Sequence, residues 1–298
     1  MTRTTRPPTG TVLLTGSEGA IGTHLGPALR DAGYAVRSLD LRPGGGTDHR
    51  VADMLDLAAV REAMQGVSAV VHAGGIPWDL GDGSAVISAN VLGTWNVLQA
   101  AVDAGAARVI AFSSINAQGS VRNERAPAYF PIDDDYPPHP LTPYQLSKHL
   151  MEETCRSFSE RHGLITLCLR PVFVLHPASR HADGFGSEGF VETWREDYWA
   201  YVDVRDIQAA VLRSLQVEGP VHDRFLLAAS DTSVAEETRA LVEREFPDVP
   251  WPAVQPDRYF ADDPHRSLVD CRHAHDVLGW APRYSWRHRP TPTPSAEG

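Results

Sequence analysis

The chain has 298 residues, and its 27 Lys and Arg against 38 Asp and Glu leave a formal net charge of −11. This acid surplus excludes nucleic acid as a main partner, because neutralising phosphates needs a basic stripe. The 42% hydrophobic and 22% charged residues exclude wholesale disorder, and no apolar run nears the roughly 20 residues of a membrane span.

At about 150 residues per domain, the length fits one large domain or two tightly joined ones. Residues 1–11 are basic and proline-containing with no apolar stretch, so they do not read as a secretory signal. Cys155, Cys168 and Cys271 are odd in number and widely spaced. They form neither a disulfide framework nor a zinc pattern, which fits a reducing cytoplasm.

Residues 1–10 and 290–298 read as flexible tails. Between them strands and helices alternate. Thr11–Gly16 is apolar and small throughout, as in a strand buried on both faces. Residues 20–32 recur at helical spacing through Ile21, Leu25 and Leu29. Strands follow at 35–41 and 49–54, a helix at 57–64, a strand at 68–73 and a long helix at 87–104. Then come a strand at 108–113, a second long helix at 142–162 and a strand at 165–170. Repeated strand–helix units predict an α/β fold, a doubly wound parallel sheet of Rossmann type. Beyond Pro171 the regularity weakens, with helices at 207–215, 234–245 and 274–278 and a strand at 224–228. The expected division is 11–171 for dinucleotide binding and 172–289 for a small C-terminal substrate-binding cap, parts of which return to the sheet.

Thr15-Gly16-Ser17-Glu18-Gly19-Ala20-Ile21-Gly22 follows the first strand and opens the first helix, as a dinucleotide fingerprint requires. Gly16 makes the turn, Gly19 admits a pyrophosphate to the backbone, and Gly22 lets helix pack on strand. The phosphate would rest on the N–H groups of Ala20 and Ile21 at the helix start. Asp40, ending the second strand, is placed to accept both ribose hydroxyls of NAD and to repel a 2′-phosphate, although Arg42 lies two residues on. Asp53 and Met54, at the end of the third strand, would meet the adenine.

Tyr144 and Lys148 are four apart on one helix face. An ammonium near a phenol lowers its pKa and makes it a usable base. Ser113-Ser114, ending the preceding strand, can orient a substrate oxygen beside Tyr144.

With these in view the chain resembles the extended short-chain dehydrogenase/reductase family, the NAD-dependent epimerase/dehydratase group. The resemblance rests on the glycine turn, Asp40, His72-Ala73-Gly74, Asn90-x-x-Gly93-Thr94-x-Asn96, Ser113-Ser114 and Tyr144-x-x-x-Lys148. Leu169-Arg170-Pro171, Tyr201-Val202-Asp203-Val204-Arg205-Asp206 and Leu278-Gly279-Trp280 follow in family order. It implies bound NAD and a catalytic Ser114–Tyr144–Lys148 set. Tyr144 takes the proton, Lys148 holds the ribose and depresses the Tyr144 pKa, and Ser114 binds the reacting oxygen. Ala73, Gly74 and Pro171 flank the nicotinamide end, and Asn90 supports the site from behind. A homodimer through the two long helices is also implied.

The chain departs from the sugar-nucleotide enzymes of the family at three places. Ile115 and Asn116 stand where dehydratases place an Asp-Glu pair, which argues against water elimination. Phe173 stands where many epimerases carry a substrate-holding Asn, and His176 replaces a glycine. Only residues 178–200 separate Pro177 from Tyr201, which suggests a smaller substrate. This short stretch and Val71-His72-Ala73-Gly74-Gly75-Ile76 also resemble uronate dehydrogenases.

Other residues leave alternatives open. His176 and Arg180 either face the substrate, where Arg180 suits a carboxylate, or sit on an exposed loop. Trp194, Tyr198, Trp199 and Tyr201 either wall the pocket or form the cap's core. Residues 183–189 are a lid or a linker. His72 is a core or cofactor-side histidine, and Asp206 reads as a helix N-cap. No histidine or carboxylate grouping has metal-ligand spacing.

The leading expectation is an NAD-dependent dehydrogenase acting on a hydroxyl or keto group of a small polar, sugar-like molecule. The alternatives are a nucleotide-sugar epimerase and a non-catalytic NAD-sensing protein.

Overall fold

A computed structural model describes residues 10–122, 125–179 and 184–288; the expected tails lie outside these residues apart from Gly10. The chain alternates β1 (Thr11–Thr15), α1 (Gly22–Asp31), β2 (Ala35–Asp40), β3 (His49–Val51), α2 (Leu57–Met64) and β4 (Val67–His72). It continues through α3 (Gly83–Ile87), a π turn (Ser88–Leu92), α4 (Gly93–Ala104), β5 (Arg108–Phe112), a 3₁₀ turn (Ile115–Gln118), α5 (Pro143–His162) and β6 (Ile165–Pro171). The later elements are β7 (Phe173–Leu175), α6 (Glu188–Thr193), a 3₁₀ turn (Arg195–Asp197), β8 (Tyr201–Asp203), α7 (Val204–Gln216) and β9 (His222–Leu227). α8 (Thr238–Glu245), α9 (Pro256–Tyr259) and α10 (Arg272–Leu278) complete them.

Seven strands form one parallel sheet in the order β3-β2-β1-β4-β5-β6-β9, the Rossmann order extended by β9. Side chains alternate across it. Val12 and Leu14 enter one core and Leu13 the other, and all three are fully buried. The core holding Val12 and Leu14 continues through Ile110, Leu167 and Phe225 to Trp199 and Trp280. The strand order reverses at β1 and β4, so a crevice opens beyond their carboxyl ends.

Local chemistry sets the helix ends. Thr142 and Gln145 form a reciprocal capping box on α5, with Pro143 in its first turn. Residues 83–104 form one continuous helix, long and apolar enough by composition to span a bilayer, but half of it is buried in this fold.

Several details correct the sequence reading. The third strand stops at Val51, and Asp53 instead accepts from Leu55 N (2.9 Å) in a turn. Helix α8 starts only at Thr238, and the Val234 carbonyl before it accepts from Arg287. The N-cap of α7 is Asp203, not Asp206; buried Asp206 accepts from Arg283 N (2.9 Å) and Tyr284 N (3.1 Å), drawing the C-terminal segment onto α7. β7 and β8 pair with each other apart from the main sheet; at three residues each they are too short to show a period.

Candidate active site

The glycine turn joins β1 to α1 at the crevice. Gly16 has φ +67°, and a Cβ there would lie 2.6 Å from Gly74 N. At Gly22 a Cβ would lie 2.0 Å from Gly16 O, so the helix closes on the turn only without a side chain. Gly19 N bonds Gly16 O (3.0 Å), while the N–H groups of Ala20 and Ile21 have no partner among the described residues. Helix α1 also has no side-chain cap. Two free donors at an uncapped helix start make an anion seat. Buried Asp40 accepts from Glu18 N (2.9 Å) and Arg42 N (3.0 Å), so the same carboxylate that ends β2 also fixes the turn. Arg42 folds back onto Asp40 and the Glu18 carbonyl. A cradle closed to any Cβ, two free N–H groups and a fixed carboxylate fit a dinucleotide.

Met54 packs against Gly74, where a Cβ would meet its Sδ at 2.6 Å, and Ala73 N bonds Thr15 O (3.2 Å). Asp53 is exposed in its turn beside Met54. Pro171 is buried at the end of β6, paired with Leu227.

Asn90 lies fully buried in the π turn. Its Oδ1 accepts from Ile76 N (2.7 Å), and its Nδ2 donates to Ile76 O (2.9 Å) and Ser147 Oγ (2.9 Å). The carboxamide is thus spent on clamping the loop after β4 to α5. Thr15, His72 and Thr94 extend the clamp. Thr94 Oγ1 donates to Asn90 O (2.6 Å), so it accepts from His72 Nε2 (2.9 Å). His72 Nδ1 then accepts from Thr15 Oγ1 (2.7 Å), whose oxygen accepts Gly74 N–H (3.2 Å). Burial, with Lys148 adding, pushes the His72 pKa down to about 3, so the ring is neutral.

The Ser114, Tyr144 and Lys148 side chains meet where β5 ends and α5 begins. Ser114 caps the 3₁₀ turn, accepting from Asn116 N (3.2 Å) and Asn116 Nδ2 (3.3 Å), and its hydroxyl is hydrogen-bonded to Tyr144. Lys148 is buried, donates to Phe112 O (2.7 Å) and lies 5.9 Å from the Tyr144 ring centre. Burial lowers its pKa to about 8, against the nearby Glu152 carboxylate. The expected depression of the Tyr144 pKa is absent. Burial of the phenol pushes it up to about 12 and Asp79 adds to the rise, while the Ser114 hydrogen bond and Arg122 oppose it. Lys148 does not offset this: it donates to the Phe112 carbonyl, and with a pKa of about 8 it is neutral before the phenol ionises.

Of the substrate candidates, Phe173 packs edge-on against Trp194 (4.7 Å between ring centres). His176 faces His24 of α1 (5.9 Å), so it sits against the glycine-turn helix, and burial followed by His24 lowers its pKa. Arg180 lies outside the described residues. Trp194, Tyr198, Trp199 and Tyr201 are buried and form core rather than pocket wall. Asp183 is outside the described residues, whereas Phe185, from the expected lid or linker, packs on Tyr201, Phe190 and Trp286.

Sequence reasoning missed a charged layer beneath the site. Glu152 is buried one turn beyond Lys148. It takes Arg170 in two contacts (Nε–Oε1 2.8 Å, Nη2–Oε2 2.7 Å) and Ser113 Oγ (2.6 Å). Arg170 also reaches Asp134 (3.4 Å), whose carboxyl burial raises to about 7 despite Arg170. The i, i+4 spacing of Lys148 and Glu152 was the available signal. Asp79 Oδ1 accepting Tyr144 N (2.7 Å) from the loop after β4 had none.

Residues 12–228 match the family model described as the NAD dependent epimerase/dehydratase family. A curated uronate dehydrogenase from Pseudomonas syringae pv. tomato is 31% identical over 177 residues, covering 56% of this chain and 60% of that protein. The chain thus spans about 60% of the length of that relative. Among solved structures, a short-chain dehydrogenase/reductase superfamily protein from Agrobacterium tumefaciens with bound NAD superposes with TM-score 0.70 at 23% identity, covering 93% and 94% of the two chains. MoeE5 in complex with UDP-glucuronic acid and NAD superposes with TM-score 0.69 at 22% identity, covering 93% and 95%.

Proposed function

Because the chain belongs to the NAD-dependent epimerase/dehydratase family, we propose that it binds NAD at the glycine turn and interconverts a hydroxyl and a keto group on a small, sugar-like substrate. The observation that carries this reading is the meeting of Ser114, Tyr144 and Lys148 at the carboxyl end of β5, beside a turn fitted to a dinucleotide. NAD supplies the hydride acceptor or donor. The protein's part is proton handling and placement. Tyr144, a phenol in this structure, is set to donate a proton to a carbonyl oxygen held by Ser114. In the reverse direction its phenolate takes the hydroxyl proton, the phenol having released its own proton to solvent once Lys148 leaves the Phe112 carbonyl and turns towards it. Ala20 and Ile21 seat the pyrophosphate, Asp40 the ribose, and Asp53, Met54, Ala73, Gly74 and Pro171 the rest of the cofactor, with Asn90 fixing the loop. Residues 11–171 serve as the cofactor unit and most of 172–289 as the cap.

The comparisons support a sugar-like substrate, since the uronate dehydrogenase aligns over just over half of this chain. Exposed Leu92, in the π turn before α4, Trp95 on α4, and Leu146 and Leu150 on α5 support a homodimer through these helices. Three free cysteines suit a reducing compartment such as the cytoplasm.

A progress curve of NADH absorbance with excess NAD and a panel of sugar acids, free sugars and sugar nucleotides tests the proposal. Many turnovers of NADH with one class are expected. Conversion of a sugar nucleotide to its isomer without net NADH would make the reaction an epimerisation. Tight NAD binding with no conversion of any substrate would favour a sensing role.

A further inference from the structure

Among the described residues, three non-glycine residues have left-handed backbone: Arg122 (φ 51°), Tyr198 (φ 54°) and Trp199 (φ 55°). They converge on one spot. Arg122 N donates to Glu196 O (3.0 Å), and the Tyr198 hydroxyl donates to the Ser120 carbonyl. Such backbone costs roughly 1–2 kcal/mol per residue and persists only where its surroundings fix it. For Tyr198 and Trp199 the reason is packing, since both rings are buried. Arg122 has no such reason, because its side chain is 62% exposed. Its backbone is held by the Glu196 carbonyl, and its guanidinium lies on Asp197 rather than in a core.

The aim is specific. Arg122 Nε is gripped by both oxygens of Asp197 (2.9 and 3.0 Å), a carboxylate only 17% exposed. That grip uses one edge of the fork. The terminal Nη1 and Nη2 have no hydrogen-bond partner among the described residues. The preceding residue is anchored beside the proton-transfer group, since Gln145 Nε2 donates to Val121 O (3.0 Å) and Gln145 adjoins Tyr144. The segment leaving Ser114 therefore brings the Arg122 cation near enough to the Tyr144 phenol to favour its ionised form.

We propose that Arg122, oriented by Asp197, is the specificity residue of this site and receives an anionic group of the substrate, a carboxylate or a phosphate. A guanidinium edge matches both oxyanions through paired N–H donors. On a chain of net charge −11, such a cation selects acidic sugars over neutral ones. The inference rests on the reading of Tyr144 as the proton-transfer group for a sugar-like substrate.

The test compares D-glucuronate, D-glucose 6-phosphate and D-glucose as substrates of the full chain with excess NAD, for wild type, Arg122→Leu, Arg122→Lys and Asp197→Asn. NAD affinity in each variant reports folding. A charged hydrogen bond of about 1.5–3 kcal/mol corresponds to roughly a 10- to 150-fold loss. Arg122→Leu is expected to lose that much more kcat/KM on the acidic sugar than on glucose, mainly through KM; the loss shared by both sugars, from weaker support of the Tyr144 phenolate, falls on kcat. Arg122→Lys should lose less, because it keeps the charge without the fork, and Asp197→Asn should fall between them. Whichever acidic sugar responds distinguishes carboxylate from phosphate. Equal losses on acidic and neutral sugars, or no loss at all, with NAD affinity intact, would overturn the inference and leave the proposed reaction standing. So would a wild type that turns over glucose alone. If wild type turns over none of the three, calorimetric titration of the NAD-loaded protein with the two acidic sugars decides. Binding that Arg122→Leu abolishes supports Arg122 while the proposed reaction falls, and no binding overturns both.

Discussion

Around Ser114, Tyr144 and Lys148 almost every polar atom is tied to another part of the floor of the site. Around Arg122 the backbone is strained and the two terminal nitrogens have no hydrogen-bond partner among the described residues. The floor is a closed network: Gly74 to Thr15 to His72 to Thr94 to Asn90, and from Asn90 to Ile76 and Ser147. Beneath it Glu152 and Arg170 neutralise each other out of reach of water. The rim is held by the Arg122–Asp197 ion pair and by three hydrogen bonds to backbone carbonyls, from Arg122 N to Glu196, from Gln145 Nε2 to Val121 and from the Tyr198 hydroxyl to Ser120, while the arginine side chain stays exposed. On the proposed reading, chemistry that must place a proton to a fraction of an ångström sits on the saturated region, and selection of a substrate is left to the open one.

The largest way to break this comparison is at the phenol. Tyr144→Phe removes the proton carrier and leaves the packing. Turnover is expected to fall by roughly 10²–10⁴-fold, as for loss of a general acid or base, while NAD affinity stays within about twofold. Turnover and calorimetric NAD titration on the same preparation check both halves. A variant that keeps most of its activity would remove Tyr144 from the mechanism.

Glu152→Ala strikes the layer below. It leaves Arg170 charged and buried, with only the more distant Asp134 as counter-ion. Breaking a buried pair from one side costs about 3–5 kcal/mol, and denaturant unfolding should register that loss. Replacing an exposed carboxylate such as Glu160 should cost no more than about 1 kcal/mol by the same measurement.

These two positions also mark how far the sequence was legible. The parallel sheet and the placing of Tyr144 and Lys148 on one helix face followed from local spacing, because period and i, i+4 geometry are properties of short segments. The glycine turn was legible for the same reason. The Tyr144 pKa was not. It depends on Asp79, Ser114 and Arg122, which reach the phenol from three separate loops, and on a lysine that turned to a carbonyl. Asp206 misled because an acid before an apolar run reads as a cap, yet its partners, the backbone at Arg283 and Tyr284, lie at the other end of the chain. The rim was illegible because Arg122 and Asp197 are distant in sequence and joined only by folding.

The neutral histidine of the floor gives a pH signature. Its folded pKa of about 3 lies below the ordinary 6.5, so between these values the unfolded state binds the extra proton. Stability from His72 is therefore present above pH 6.5 and lost as pH falls, by about 1.4 kcal/mol per unit. From pH 7 to pH 5 wild type should lose about 2 kcal/mol more than His72→Gln, read from denaturant midpoints at each pH. Parallel pH curves would mean that the ring charges in place and the directed chain through it is not maintained.

The smallest expected effect sharpens the contrast most, because its sign differs. Arg122→Asn removes an ion pair that is mostly solvated on the arginine side and so contributes about 0–1 kcal/mol. It also puts into the left-handed backbone a residue that tolerates it, recovering part of a strain of similar size. The two nearly cancel, so unfolding stability should stay within about 0.5 kcal/mol of wild type or rise slightly. A loss of 3 kcal/mol or more, as for Glu152→Ala, would show that Arg122 belongs to the framework. An unchanged stability with a lost preference for acidic sugars would show that the strained backbone serves recognition, since nothing in the fold then depends on it.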